Sequence, residues 1–441
     1  MFAAQHGILN HELLAALAEA RTQTDKLFAL VKNDFLYERP IPERHRVVFY
    51  IGHLEAFDWN LLQGFIPQLQ SFHPKFDRLF AFGIDPVDGG LPSDEPKDWP
   101  ALAEVHRYRS RVRDLLDEVL ESSAFWRSSY DGFSAATLLN VAVEHRLMHA
   151  ETLAYMFHQL PLEQKIRQGS APAHTVQPLE FGMVEIPAGR ATLGLSRGES
   201  AFGWDNEFDA HEVRVPAFAI DRYKVTNGQY LEFIDAGGYE NRNLWPDAGW
   251  SWKIEQNLAH PLFWKRRNGR WYYRTMFDEL PLPLDWPVFV SHAEASAYAR
   301  WAGKLLPDEA QWHRAAYGTP GGSERAYPWG SETPGRMHGY FDFKRWDPTP
   351  VNAFPRGASA FGVAGLLANG WEWTSSIFEP FQGFQAFPFY PGYSANFFDG
   401  KHYVLKGGST RTAACMLRRS FRNWFQPHYP YLYSGFRCVS E

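Results

Sequence analysis

The stretch VEHRLMHAETLAYM, residues 143–156, sets His145 and His149 four positions apart, with Glu151 two further on. It lies inside a long segment of helical periodicity, SAATLLNVAVEHRLMHAETLAYMFHQL, from Ser134 to Leu160, closed by Pro161. On a helix, side chains at i and i+4 stand on one face, one turn apart. Two neutral imidazoles so placed can grip one metal ion. The chain carries 17 His, so a chance pair on a helix surface is the competing reading, and the rest of the sequence has to decide.

Working outward, three more amphipathic stretches precede this one. HELLAALAEARTQTDKLFALVKNDF spans 11–35, HRVVFYIGHLEAFDWNLLQGFI spans 45–66 after the break RPIPERH, and DWPALAEVHRYRSRVRDLLDEVLES spans 98–122. In the last, Asp98 is the expected N-cap, and Pro100 suits a first turn. Four long amphipathic segments predict a helix bundle over residues 1–160, and bundles build metal sites from inward side chains on facing helices. Residues 161–178, PLEQKIRQGSAPAHTVQP, are polar and aperiodic with three Pro, and read as a linker. Beyond it the texture changes to Gly, Pro, Trp and short β-like runs such as MVEIPAG and HEVRVPAFAIDRY. Short helices are expected near TNGQYLEFIDAGG and SHAEASAYARWAGK, followed by long irregular loops.

Length and composition agree with two globular domains, since 441 residues exceed an ordinary single domain. A formal charge of −6 and a pI near 6.3 give no general pull toward nucleic acid or an anionic membrane. Aromatics reach 16%, with 17 Trp and 35 Phe, concentrated in the C-terminal two-thirds; packing or an aromatic-lined pocket accounts for such enrichment. Two Cys, Cys415 and Cys438, cannot form a disulfide framework, which fits a reducing compartment. MFAAQHGILNHELL has no basic-then-apolar leader pattern, and no run of about 18 apolar residues occurs, so a soluble, cytoplasmic protein without a membrane span is expected.

The second half resembles a known scaffold. AIDRYKVTNGQYLEFI (219–234), PVFVSHAEASAYARWAGKLLPDEAQWHRAAYG (287–318), YPWG (327–330), GVAGLLANGWEWTSS (362–376), VLKGGS (404–409) and SGFRC (434–438) follow in register. Together they resemble the formylglycine-generating-enzyme-like fold, a C-type-lectin-related scaffold of mixed α/β structure, over 179–441. The first half, through IGHLEAFDW and EHRLMHAE, resembles the DinB four-helix bundle. The combination is similar to the non-haem iron sulfoxide and selenoxide synthases, which include ergothioneine, ovothiol and selenoneine synthases.

That resemblance implies Fe(II), one per chain, held by His53 of the Gly-His motif and by His145 and His149, with Glu151 orienting rather than ligating. Dioxygen is the implied co-substrate and hercynine (trimethylhistidine) the implied acceptor. Bundle residues then supply the iron ligands and the second domain supplies substrate-binding residues. In FRNW, Asn423 takes the place of the residue that contacts the α-carboxylate or ammonium end of hercynine, and Trp424 follows. A trimethylammonium suits aromatic faces at about 0.5–2 kcal/mol per contact, and Trp424, Trp371, Tyr429, Tyr431 and Tyr433 are candidates. For Trp371 and Trp373 of GWEWTSS, core packing is the preferred reading. Cys415 and Cys438 stand 23 residues apart and are not expected to form the catalytic pair of true formylglycine enzymes.

The sequence departs from the ergothioneine branch on the co-substrate side. Phe425 stands where an Asp follows the Asn-Trp pair. Phe389, in AFPF, replaces a tyrosine expected as proton donor, and Tyr390 and Tyr393 nearby are the substitutes. Met148 replaces a frequent Gln. Arg109 matches one co-substrate arginine, whereas His106 occupies the place of another, losing a bidentate carboxylate fork. The loop LFAFGIDPVDGG (79–90) carries no tyrosine. These changes favour a neutral donor, a selenosugar, over cysteine or γ-glutamylcysteine, and hence selenoneine synthase; an ergothioneine-type sulfoxide synthase is the alternative. No methyltransferase-like segment follows, so a full-length ovothiol synthase is not expected. From a different class, a lectin-like ligand-binding module would need no iron, and a DinB-type thiol transferase would need no oxygen.

Overall fold

The computed structural model describes residues 2–66, 69–84, 90–130, 132–169, 179–198 and 202–441. The chain divides into two compact units, Met1–Gln168 and Gly169–Glu441.

The first unit is a helix bundle. Its long members are α1 (Phe2–Phe28), α2 (Val47–Gln63), α4 (Leu102–Leu120) and α6 (Ala135–Gln159); α3 (Pro74–Phe82) and α5 (Ser123–Trp126) are short. A two-stranded hairpin, β1 (Ser129–Tyr130) with β2 (Phe133–Ser134), leads into α6. α2 is the central element, because Val47, Val48, Phe49, Tyr50, Ile51, Leu54, Ala56, Trp59, Leu61 and Leu62 are all buried, which is the pattern of a helix surrounded by others. α4 instead buries one stripe, Val105, Tyr108, Val112, Leu116 and Leu120, at successive spacings of three or four. The Ser134 hydroxyl caps α6 by accepting from the Thr137 amide at 3.2 Å, worth about 1 kcal/mol. Pro161 stops α6, because it has no N–H for a further helical bond.

Several boundaries differ from the sequence reading. α1 ends at Phe28, and residues 33–35 form a separate 3₁₀ turn. Asp98 is not the N-cap of α4: it closes the 3₁₀ turn Pro96–Asp98 by accepting from the Glu95 amide at 2.7 Å, and Ala101 caps the helix. The Ala101 amide is satisfied by Glu104 at 3.3 Å. Leu79–Phe82, read as the start of a loop, are the last turn of α3, where Pro74 opens the helix and the His73 ring accepts from the Phe76 amide at 3.2 Å. Residues 85–89 of that loop lie outside the described residues. The expected linker is partly docked: the Ile166 amide donates to the Leu30 carbonyl at 2.7 Å, so its first residues belong to the bundle. Its remainder, 170–178, lies outside the described residues.

The second unit is irregular mixed structure. A four-stranded sheet runs in the order β12 (Asn423–Phe425), β11 (Tyr403–Gly408), β10 (Gly370–Ile377), β13 (Ser434–Gly435). β10 pairs antiparallel with β11 and parallel with β13. A second sheet has the order β14 (Val439–Ser440), β6 (Phe218–Asp221), β3 (Met183–Ile186). β4 (Gly189–Leu193) pairs with β5 (His211–Val215), and β7 (Trp264–Arg267), β8 (Arg270–Arg274) and β9 (Glu279–Pro281) form a meander. The helices are α7 (Asn227–Asp235), α8 (Asp247–Glu255), α9 (His292–Trp301) and α10 (Glu309–Tyr317). α7 and α9 are the two expected; α8 and α10 were missed.

Four of the quoted motifs meet in one buried ionic knot. The Glu372 carboxylate of GWEW accepts from Arg437 of SGFRC at 2.6 and 2.9 Å and from the Trp312 indole at 3.1 Å, and Lys224 of DRYKV stands 2.9 Å away. Burial pushes the Lys224 ammonium down to about 8, and the Glu372 charge opposes that push. Removing one partner of such a knot leaves an uncompensated buried charge, at a cost of about 3–5 kcal/mol. Ala368, Asn369 and Gly370, with φ of 76°, 63° and 117°, turn the chain into β10. The Asn369 amide holds that turn by exchanging hydrogen bonds of 2.8 and 2.9 Å with the Thr349 backbone.

Candidate metal centre

His53 on α2 and His145 and His149 on α6 converge, and one ligand-capable atom from each lies within 4.8 Å of the other two. The Nε2 atoms of His53 and His149 are 3.2 Å apart. Two imidazole nitrogens each about 2.1 Å from one divalent cation, at right angles about it, lie roughly 3 Å apart. Burial pushes the His53 imidazole down to about 4, and pushes His145 and His149 well below the usual value. The neighbouring histidines and the Arg146 charge add to the same effect. All three rings are therefore neutral near pH 7 and keep a lone pair for a metal.

His53 is oriented from behind. Its Nδ1 donates to the Phe80 carbonyl of α3 at 2.7 Å, which leaves Nε2 as the free lone pair, a common arrangement in metal sites. Gly52 permits this approach: a Cβ there would lie 2.4 Å from the Phe80 ring. The "Gly" of the Gly-His motif is thus a packing requirement between α2 and α3. Aromatic rings hold two imidazoles flat, with Phe57 stacked on His145 at 3.4 Å and Phe49 on His53 at 4.8 Å.

Sequence reasoning missed what lies beside the histidines. Arg146, fully buried between the two α6 histidines, donates to Glu55 at 3.1 and 3.0 Å, to Asp58 at 2.6 Å and to the Leu54 carbonyl at 2.8 Å. Glu55 also accepts from Arg113 of α4 at 3.0 and 2.7 Å, and Arg113 reaches Asp25 of α1 at 2.7 and 2.9 Å. Burial alone would raise the Glu55 carboxyl; the Arg146 and Arg113 charges outweigh it and hold Glu55 down to about 2. The available signal was three charged residues within apolar helices, since such groups are buried only when paired.

Among the other expected residues of this unit, Arg109 faces Asp25 at 3.4 Å. His106 is half-buried, and burial and the Arg109 charge lower it. Met148 is half-buried and Glu151 buried, both on α6.

In the second unit, Asn423, Trp424 and Phe425 form edge strand β12. Alternation puts Asn423 and Phe425 on one face and Trp424 on the other. The Asn423 side-chain oxygen accepts from the Trp424 amide at 2.9 Å. Trp424 stacks on Phe378 at 4.2 Å and meets Tyr393 edge-on at 5.4 Å. Tyr393 stacks on the buried Trp204 at 3.9 Å, and Tyr390 stands 5.5 Å from Tyr393. Phe389 packs on Phe387 at 5.0 Å, and Phe425 stacks on Tyr429 at 5.2 Å. Trp424, Tyr390 and Tyr393 thus share one aromatic neighbourhood, with Asn423 on the opposite face of the strand. Trp371 and Trp373 are buried, and the Trp373 indole donates to the Val290 carbonyl at 2.9 Å, so packing accounts for Trp373. Cys415 is exposed and Cys438 is buried, and the two are not joined in a disulfide.

The donor set fits a divalent transition metal: three neutral imidazoles, one with its second nitrogen already fixed by a carbonyl, and no carboxylate among the grouped donor atoms. Three imidazoles on one cation would leave further coordination positions open to ligands. Among the described residues, no helix is long and apolar enough to cross a membrane.

Comparison with known proteins places both units. The Sulfatase-modifying factor enzyme 1-like domain family matches residues 168–441, and the DinB superfamily matches residues 16–153. The chain is 34% identical to a hercynine oxygenase of Mycolicibacterium smegmatis, covering 98% of this chain and 99% of that one. It is 37% identical to a hercynine oxygenase of Mycolicibacterium thermoresistibile, covering 97% and 94%. It is 28% identical to ergothioneine biosynthesis protein 1 of Neurospora crassa, covering 93% of this chain and 56% of that protein.

Proposed function

The chain belongs to the hercynine oxygenase family, and on that premise we propose that it is an Fe(II)- and O2-dependent enzyme that joins a chalcogen nucleophile to C2 of the hercynine imidazole and oxygenates the chalcogen. The observation that carries this reading is the convergence of His53, His145 and His149, with two Nε2 atoms 3.2 Å apart. Iron held by these three nitrogens would supply open coordination positions and redox chemistry for a reaction in which the C2–H and chalcogen–H groups of the two substrates give up four electrons and dioxygen takes them, one oxygen atom ending on the chalcogen and the other in water.

The chain's own residues do the rest. The neutral histidines, His145 buried and His53 and His149 half-buried, hold the cation without competition from protons near neutral pH. Phe80 fixes the His53 tautomer through its carbonyl. Asn423 orients the charged end of hercynine, and the trimethylammonium group rests on aromatic faces around Trp424. Tyr390 holds a proton for the reacting chalcogen or oxygen: burial, with the Asp205 charge adding to it, pushes its phenol up to about 12, so it is fully protonated at pH 7. Tyr393 is the second candidate for that proton.

For the chalcogen donor, the reading is a selenosugar. Arg109, the arginine expected to meet a co-substrate carboxylate, already faces Asp25, and the neighbouring His106 is kept neutral by burial. Phe425 and Phe389 offer apolar rings at the other co-substrate positions. An amino-acid donor would leave a charged group unpaired at about 1–3 kcal/mol each, a cost that a neutral sugar avoids. The names of the relatives favour a second reading, a sulfur donor on the route to ergothioneine. A competition separates the two: hercynine, Fe(II) and O2 are supplied with γ-glutamylcysteine, cysteine and a 1-seleno-sugar in one vessel. A selenium-containing main product by mass spectrometry is expected; a cysteine-derived sulfoxide as main product replaces the selenium reading with the sulfur one.

A further inference from the structure

Arg146 stands one residue after His145, and its guanidinium spans to α2, where it meets Leu54 O, Glu55 and Asp58. Leu54 directly follows His53. One side chain therefore ties the backbone next to one ligand helix position to the residue next to another. Arg146, Glu55 and Asp58 are each no more than 1% exposed. A buried ionic cluster is a poor source of net stability, because desolvation offsets its attraction, and apolar replacements of like volume are often neutral or stabilising. What it supplies is geometry: a planar fork meets carboxylates in one arrangement only, and a helix slipped by one residue would break every bond.

We infer that Arg146 is a positioning residue for the metal centre: with Glu55 and Asp58 it locks α6 in register on α2, so that His53, His145 and His149 converge before any metal arrives. Arg113 and Asp25 extend the lock to α4 and α1, since Arg113 bonds Glu55 and Asp25 together. The arrangement divides labour within α6: the faces at 145 and 149 present imidazoles, and the residue between them holds the helix in place. This inference rests on the three-histidine metal reading.

The test uses the full chain, stripped of metal and titrated with Co(II), whose visible ligand-field bands report both affinity and geometry. Three proteins are compared: the unaltered chain, the neutralised triple variant Arg146→Met/Glu55→Gln/Asp58→Asn, and Arg146→Lys. In the triple variant Arg113 keeps Asp25, so no buried charge is orphaned. The expected result is a triple variant that melts within about 4 °C of the unaltered chain or higher, yet holds Co(II) about tenfold or more weakly with displaced bands. A folded triple variant with the same bands and an affinity within about twofold overturns the inference. Should the triple variant fail to fold, Arg146→Lys decides by the same readout, because an ammonium with three donors on a shorter stem cannot reproduce the four hydrogen bonds of the planar guanidinium; unchanged bands and affinity there overturn it equally. If the unaltered chain takes up no Co(II), it is the metal reading that fails, not the brace.

Discussion

The Phe80 carbonyl accepts a hydrogen bond from His53 Nδ1 at 2.7 Å, while the ring of the same residue occupies the space a side chain on Gly52 would need. One residue of a short, unpredicted helix thus depends on a missing side chain before the candidate ligand and sets the tautomer of that ligand. Gly52→Ala forces the Phe80 ring aside, an overpacking that costs about 1–3 kcal/mol. The variant is expected to fold and to bind Fe(II) or Co(II) about tenfold more weakly, as loosened outer partners of metal-binding histidines do. Equal affinity by titration would show that the Phe80 contact is irrelevant to the metal.

His149→Ala removes the nitrogen nearest to His53 Nε2. Purified in the presence of Fe(II), the variant is expected to carry no stoichiometric iron by elemental analysis and to consume no oxygen with hercynine present. Full iron in this variant would refute the three-histidine site.

Asn423→Ala tests hercynine orientation separately from metal binding. Loss of a hydrogen bond to a charged group predicts a fall in kcat/KM for hercynine equivalent to about 1.5–3 kcal/mol, with iron content unchanged. An unaltered kcat/KM removes Asn423 from the substrate site.

Phe425→Asp restores a carboxylate where the ergothioneine branch has one. Position 425 shares its strand face with Asn423, so the change is expected to shift preference toward a donor that carries an ammonium group. The readout is the ratio of γ-glutamylcysteine-derived to selenosugar-derived product. A ratio that stays constant would mean that position 425 does not read the donor.

Glu324 makes the stability of the second unit acid-sensitive. Its carboxylate accepts from the Thr192 amide at 2.8 Å and from Arg419 at 3.0 Å, with His313 3.5 Å away. Burial raises the group, but the His313 and Thr192 contacts outweigh it and lower it from the usual 4.5 to about 2. Because the folded-state value is the lower one, the contribution is complete above pH 4.5 and disappears as pH falls toward 2. Its size is on the order of 2 kcal/mol, discounted for partial solvent screening. In thermal melts from pH 7 to pH 3, Glu324→Gln should start from a lower midpoint and lose less of it on acidification. Parallel melting curves for variant and parent would show that the group carries no acid-linked stability.

The primary sequence by itself was enough for the two-part architecture, because each half has its own period. The long apolar rhythm around EHRLMHAE dictates helices that must pack together, and the Gly- and Trp-punctuated motifs from Ala219 to Cys438 follow one another in register. The i,i+4 pair of His145 and His149 was legible for the same reason, since a helix puts both on one face. Tertiary structure decided the rest. That His53 arrives on that face at 3.2 Å from His149 depends on how α2 lies against α6, which no local period encodes. Arg146, Glu55 and Asp58 stand in apolar helices, but which of them pair is shown only by packing, where they are buried against one another. Asp98 was misassigned as a helix cap because Asp suits a cap anywhere, and the chain used it for the turn just before. α3 was not read from the sequence, yet its Phe80 carbonyl sets the His53 ring. Local periods are properties of neighbours in sequence, whereas convergence of ligands and pairing of buried charges are properties of neighbours in space.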